Sequence, residues 1–282
     1  MVTLPHIRAL NTGVIRYIAL TILNRYISLI YPTDLNECQR KFILDNFPEI
    51  FKTKSRDSVI DILQALFYLV KAGCQWRMIP KSYPKWRKVY NFFRKWSDPD
   101  IFVRLMLSLN TQAREKKHKP SSPTVAIIDS ETTRSALPHS TKGIDGGKKV
   151  KGIKRHVAVD SNGFPLAVVT TTGNIHDSKA AHPLICKTSI ACKSIRLIKA
   201  DMGYSGALSR LLQVTLGISL QCIKSNFGTS DFKPIDGRWV VERTFSWLSS
   251  FRRLCRNYEQ HLHTARSMAE AACAMFMLRF CR

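Results

Sequence analysis

Acidic residues are scarce in this 282-residue sequence. It contains 20 Asp and Glu against 44 Lys and Arg, a formal net charge of +24. A compact chain with so much charge of one sign repels itself, and it favours a polyanionic partner such as nucleic acid. Because acids are few, those at suggestive positions become candidates for chemistry.

Cysteine and histidine motifs are also missing. The eight cysteines form no C-x-x-C pair, and no Cys/His tetrad with zinc-ligand spacing occurs. This argues against a zinc module or disulfide framework and predicts reduced, mostly buried thiols in a cytosolic protein. There is no internal repeat or low-complexity tract. The 45% hydrophobic content predicts a buried core, in two domains or one elaborated domain.

The sequence has no long apolar run free of charge. Segment 14–31 comes closest, but it contains Arg16, Asn24 and Arg25. An arginine near the bilayer centre costs roughly 2.5–3.5 kcal/mol, so a membrane span is not expected. The remaining readings are a packing or interfacial helix, or an extension over residues 1–30 that contributes little to the fold.

Residues 31–119 show helical patterns with tight turns, which predict a small all-helical domain of helix-turn-helix type. The expected helices are 34–47 capped by Asp34, 59–72 capped by Ser55 or Asp57 and ended by Gly73, and a third that has Pro84 in its first turn and runs to Trp96.

The third helix carries basic residues between aromatic ones. Its aromatic rings recur at spacings of three and four, which indicates a buried stripe. The basic side chains either contact DNA phosphates or form a solvated face, and the charge of the whole chain favours DNA. The proposed contacts are Lys85, Arg87 and Lys88.

A charged, Pro- and Ser-bearing break at residues 114–122 predicts a domain boundary, so that residues 120–282 form the second domain. Short β-branched runs predict strands at 124–128, 156–159, 165–171, 195–200 and 218–223. Helical patterns lie between or after them, at 177–186, 205–216 and 238–257. The second domain is therefore expected to be an α/β sheet with helices on its faces.

Three acids lie where a phosphodiester-cutting enzyme would need them. Asp129 and Asp201 each follow an apolar run and so should end buried strands, the edge at which open α/β sheets bind ligands. Glu242 lies in the long helix beyond them. Each Asp alone could be a turn former or cap, and Glu242 could pair with Arg238 at the surface. Together they match the carboxylates of a two-metal phosphoryl-transfer site.

Several stretches, in order, resemble bacterial insertion-sequence transposases of family five, within the wider family four/five group. The resemblance covers residues 31–282 and leaves out residues 1–30. The matching stretches are 31–35, 73–80, 145–156, 174–177, 199–204, 238–248, 252–254 and 258–259.

This resemblance implies a ribonuclease-H-like catalytic domain whose metal-binding triad is Asp129, Asp201 and Glu242, with Mg²⁺ or Mn²⁺ in two sites. It implies cleavage of double-stranded DNA at the inverted-repeat ends of an element, then attack of a freed 3′-hydroxyl on target DNA in the bacterial cytosol. Two copies would meet as a homodimer in synapsis, although no dimerisation motif is visible. An inactive DNA-binding derivative and a plain nuclease without strand joining are the alternatives.

Further DNA contacts are expected around the triad. The loop 148–156 carries five cations, and Gly147 and Gly152 would let its backbone approach phosphate. A solvated turn or an address signal is the alternative. The wider family has a lysine where this chain has Ser249, so Arg252 or Arg253 would replace that contact. The expected contacts are Lys148, Lys149, Lys151, Lys154, Arg155, Arg238, Arg252 and Arg253.

Two other acids lie near the triad in the sequence. Asp177 is expected to cap its helix, although it could be a fourth acid of the site. Glu131 could substitute for Asp129 in coordination.

Overall fold

The computed structural model describes residues 31–51, 58–98, 100–204, 207–223 and 238–281. Residues 1–30, with most of the apolar segment 14–31, and the proposed caps Ser55 and Asp57 lie outside the described residues. Within the described residues, four α-helices precede the sheet: α1 (Glu37–Asn46), α2 (Val59–Ala72), α3 (Trp86–Ser97) and α4 (Ile101–Glu115).

The ends of α1 and α2 follow from their capping residues. The N-cap of α1 is Asn36 and not Asp34. The Asn36 side chain accepts a hydrogen bond from the backbone N–H of Gln39, and the Gln39 side chain accepts one from the backbone N–H of Asn36. α2 begins after Ser58 and ends at Gly73, whose φ of 71° is the left-handed conformation predicted for that glycine.

The part of the chain that the structure describes has six strands in one mixed sheet: β1 (Val125–Arg134), β2 (Gly143–Asp145), β3 (Val150–Asp160), β4 (Pro165–Thr172), β5 (Leu197–Asp201) and β6 (Ser219–Ile223). β3 runs antiparallel to β1 on one side and to β2 and β4 on the other, while β1, β5 and β6 are parallel. The remaining helices are α5 (Asp177–Ala191), α6 (Ala207–Leu216), α7 (Arg238–Ser249) and α8 (Leu262–Met277). The mixed α/β class is confirmed, and it fits the ribonuclease-H-like fold that the resemblance implies.

Alternate residues of β1 contribute to the two sides of the sheet. Ile127 packs in a core formed with α1–α4, α7 and α8, whereas Ala126 and Ile128 pack in a second core with α5 and α6. The helices of residues 31–119 therefore share a core with the sheet. The boundary near residue 120 stays a prediction, as does the helix-turn-helix assignment.

Several predicted bounds were wrong. β1 and β3 are longer than the sequence indicates, so Asp129 lies within β1 and most of the predicted loop 148–156 belongs to β3. The last predicted helix ends at Ser249 rather than at Asn257. α4, β2 and α8 were not predicted.

Two further expectations can be compared with the described residues. Of the eight cysteines, three are buried and two are exposed, so the thiols are not mostly buried. No described helix is long and apolar enough to cross a membrane.

Candidate active site

The pairing register brings Asp129 and Asp201 level with each other. β1 and β5 are parallel neighbours in which Ile127 pairs with Lys199. Each aspartate lies two residues further along its strand, and a period of two returns each side chain to the same face. The two carboxylates therefore lie level with each other where β5 ends, on the face that contains Ile127.

Helix α7 covers that same face and carries Glu242. It packs against β1, β3 and β5 through its buried residues Val240, Val241 and Leu248. Glu242 is exposed and is not part of this apolar stripe. Among the described residues, no group of three or more His, Cys, Asp or Glu side chains is close enough to hold a metal ion. The fold thus pairs the aspartates and puts the glutamate on the adjoining helix without closing a three-ligand cluster.

Tyr204 is buried in the second core, with Ala126 and Ile128, on the other face of the sheet from Ile127. It follows Asp201 in a short 3₁₀ turn and is 1% exposed. Burial raises the pKa of its phenol, and the negative charges of Asp129, Asp177 and Asp201 raise it further. Tyr204 was not singled out from the sequence, although it lies in the stretch 199–204 that carries part of the resemblance.

Glu131 lies on β1 two residues beyond Asp129 and on the same face. Its carboxylate is 4.0 Å from the guanidinium of Arg155, which pairs with it across β1 and β3. Burial raises the pKa of Glu131, and the charge of Arg155 opposes that shift. Glu131 thus compensates a buried arginine, and coordination in place of Asp129 stays a prediction.

Asp177 has a different role from the one expected. The cap of α5 is His176, whose side chain accepts from Ser178 N. The Asp177 carboxylate instead accepts from Lys154 Nζ at 3.1 Å, and the same ammonium group donates to Ile175 O at 3.0 Å. Lys154 therefore fastens β3 to the start of α5.

His156 is fully buried beside this ion pair. Its Nε2 lies 3.0 Å from Thr171 Oγ1, and its Nδ1 has no hydrogen-bond partner among the described residues. Burial lowers its pKa to about 4, Asp177 opposes the shift and Lys154 adds to it. The imidazole is therefore neutral near pH 7.

The expected DNA contacts divide by exposure. Lys154, Arg155 and Arg253 are buried, and each lies beside an internal carboxylate, that of Asp177, Glu131 and Glu259 respectively. In this conformation they are structural cations, which corrects their assignment to the DNA surface. Lys85, Arg87, Lys148, Lys149, Lys151 and Arg252 are exposed, Lys88 is half-buried, and the side chain of Arg238 lies outside the described residues.

Gly152 is needed for strand packing rather than for phosphate approach. A Cβ at this position would lie 1.9 Å from the carbonyl oxygen of Thr133 on β1. Only glycine lets β3 and β1 lie this close.

A polar cavity of about 320 Å³ lies between the end of α3 and the start of α8. Arg94, Lys95, Asn91 and His263 line it together with Asp98, Ser97 and Thr264. Thr170 of β4 donates to Leu262 O at 2.8 Å, which ties the start of α8 to the carboxyl end of β4. β4 is parallel to β1 with β3 between them, and Thr170 is level with Glu131, so the cavity lies beyond Asp129 toward the carboxyl end of β1.

Comparison with known proteins adds to this geometry. Residues 120–231 match the family described as transposase DDE domain, and residues 41–106 match the putative transposase of IS4/5 family. The putative transposase for insertion sequence element IS402 of Burkholderia cepacia is 31% identical over 133 residues, which cover 44% of this chain and 62% of that protein. The one for element IS6501 of Brucella ovis is 28% identical over 131 residues, covering 45% of this chain and 98% of that protein.

Both matched families and both relatives are thus transposases, and the chain spans less than two thirds of the length of the IS402 protein. Asp129 and Asp201 fall inside the matched DDE domain, whereas Glu242 lies beyond its last matched residue. A solved piggyBac transposase synaptic complex with hairpin DNA covers 87% of this chain and 73% of its own, at 13% identity and a TM-score of 0.39.

Proposed function

We propose that this protein is a DNA transposase that binds the terminal inverted repeats of an insertion sequence, cleaves DNA strands and joins the 3′-hydroxyl ends to target DNA. The observation that carries the proposal is the register of Asp129 and Asp201 on neighbouring parallel strands, under a helix that bears Glu242. The match of residues 120–231 to the transposase DDE domain and the net charge of +24 support it.

The donor set suits Mg²⁺ or Mn²⁺, because both are hard cations that prefer carboxylate oxygens. Asp129, Asp201 and Glu242 would hold two such ions. When bound, the ions supply charge stabilisation at the attacking and leaving oxygens of the phosphodiester. The protein's own part is to hold the aspartates rigidly on paired strands and to align the DNA.

Exposed cations around the carboxylates would align the DNA backbone. We include in this surface the exposed side of α3, the cavity between α3 and α8, and the cations Lys148, Lys149 and Lys151 at the start of β3. Arg94 and Lys95 extend the predicted contacts Lys85, Arg87 and Lys88 toward the cavity. Phosphate contacts of this kind fix register without reading sequence.

This surface can be tested by a charge-matched pair of variants. Removing Arg94 and Lys95 together, each replaced by Gln, should weaken DNA binding and flatten the plot of log affinity against log salt by about 0.9 for each phosphate that the protein no longer neutralises. The control replaces Lys41 and Lys193, two exposed lysines outside the proposed surface, by Gln. Equal slopes for both variants would remove the cavity from the DNA surface.

Strand transfer from a labelled donor with the element's own ends to a target plasmid tests the function. A transposase yields cleaved donor and joined product, a nuclease yields cleaved donor alone, and an inactive DNA-binding derivative yields neither. Residues 31–119 are proposed to recognise the ends and residues 120–282 to cut them, in a homodimer that pairs two ends in the bacterial cytosol.

A further inference from the structure

Helix α7 is fastened to the hairpin turn between β3 and β4. Thr244 Oγ1 donates to Gly163 O at 2.8 Å and also lies 3.1 Å from Val240 O in its own helix. Arg243 Nη2 donates to Asn162 O at 2.7 Å. Both donors directly follow Glu242 in the chain. Two consecutive residues of the helix therefore bond two consecutive carbonyls of the turn.

The buried carboxylate of Asp160 holds the turn in place. Asp160 is 0% exposed, and it accepts from the backbone N–H groups of Asn162 at 2.8 Å and Phe164 at 2.9 Å. Its other oxygen forms a buried ion pair with Arg114 of α4. Lys119 donates to the Asn162 side chain at 2.9 Å. The acceptors for α7 are thus fixed to the helical part of the protein.

Close packing leaves little freedom where α7 meets the turn. Gly163 has a φ of +81°, and a Cβ there would lie 3.0 Å from Thr244 Oγ1 and 3.2 Å from Arg243 Nη2. The guanidinium of Arg243 also lies over the rings of Trp239 at 4.5 Å and Trp247 at 4.7 Å. These interactions resist both rotation and sliding of α7.

We propose that Thr244 and Arg243 are positioning residues that set the place of Glu242 relative to Asp129 and Asp201. The inference rests on the proposed function. The aspartates are fixed by strand pairing, whereas Glu242 is fixed only through the setting of its helix. A rotation of about 20° moves a carboxylate lying roughly 6 Å from a helix axis by about 2 Å. Errors of this size are enough to lower the rate of a phosphoryl-transfer site strongly.

The test replaces Thr244 by Val, which keeps the shape and removes the donor. At saturating DNA, the cleavage rate of Thr244→Val should fall about tenfold or more, because a misplaced group costs rate rather than substrate binding. The Mg²⁺ concentration for half-maximal cleavage should rise, and DNA affinity should stay within about twofold. Thr244→Ser, which restores the hydroxyl, should recover most of the rate and the Mg²⁺ midpoint.

A matched control separates positioning from folding. Thr188 on α5 is also buried, and its Oγ1 donates only within its own helix, to Leu184 O at 2.7 Å. Thr188→Val should lose stability in urea but keep the cleavage rate and the Mg²⁺ midpoint. If Thr244→Val does not fold, Arg243→Met provides the same test, because it removes the hydrogen bond from Arg243 to Asn162 O.

Two results would overturn the proposal. One is wild-type cleavage and Mg²⁺ dependence in a folded Thr244→Val. The other is a parallel loss of DNA binding, which would make Thr244 part of the DNA surface. Glu242→Ala in the same assay identifies a different failure: if it cleaves normally, the triad assignment is wrong rather than the positioning role.

Discussion

Acidification should destabilise this protein through His156. The imidazole is 0% exposed, and its pKa is about 4 against an ordinary value of 6.5. Between these two pH values His156 binds a proton in the unfolded chain but not in the folded chain. The stabilising contribution is therefore fully present above pH 6.5 and is lost as the pH falls toward 4. The full shift corresponds to about 3 kcal/mol, and the loss between pH 7 and pH 5 to about 2 kcal/mol.

His156→Gln isolates this contribution, since glutamine can reach Thr171 but does not titrate. Urea denaturation followed by tryptophan fluorescence gives the free energy of unfolding at pH 7, 6 and 5. Wild type should lose about 2 kcal/mol more than the variant over this range. His139→Gln, which removes an exposed histidine instead of the buried one, is the matched control. Equal losses in wild type and His156→Gln would refute the reasoning.

Three further predictions concern the DNA chemistry. Alanine at Asp129, Asp201 or Glu242 should lower strand cleavage by orders of magnitude. DNA affinity measured by filter binding should stay the same or rise slightly, because each change removes a negative charge from a basic surface. Normal cleavage by one of these variants would remove that residue from the triad. Excess chelator should abolish cleavage and added Mg²⁺ or Mn²⁺ restore it, with Ca²⁺ supporting binding but little cleavage; activity without divalent ions would contradict the two-metal proposal. Neutralising Lys148, Lys149 and Lys151 together should weaken DNA binding and flatten the plot of log affinity against log salt by about 0.9 for each phosphate left without a cation. An unchanged slope would exclude these lysines from the DNA surface.

The apolar pattern predicted the strands that hold the aspartates better than it predicted their lengths. The run before Asp129 is recognisable because it is buried on both faces. The rest of β1, from Ser130 to Arg134, is polar and is held by pairing with β3. Hydrogen bonds to a partner distant in the chain leave no local pattern in the sequence, so this half of the strand could not be predicted.

Two helices were missed for different reasons. α4 begins after Asp100, which is in the left-handed conformation and makes no side-chain capping bond, so no start signal precedes it. α8 is buried along most of its length, from Thr264 to Met277. A helix buried on most sides has no polar face, and the contrast on which helix prediction depends is absent.

The charged residues show where sequence reasoning about this site reaches its limit. A lysine or arginine in a strongly basic chain is expected at the surface, yet Lys154, Arg155 and Arg253 are buried. The first two lie beside acids that are distant in the sequence, Asp177 and Glu131. Such pairs depend on which strands and helices become neighbours, so they follow from topology and not from composition.

The few acids of this sequence therefore have a second role besides catalysis. Burying a cation without a partner is costly, so a basic chain that folds around several buried cations needs internal carboxylates. Asp160, Asp177 and Glu259 are used in this way. An acid in a basic sequence can thus be either the counter-ion of a buried cation or a catalytic residue. Asp129 and Asp201 are distinguished by geometry: the register of β1 and β5 places both at the same level on one face of the sheet, an arrangement that pairing with buried cations does not require.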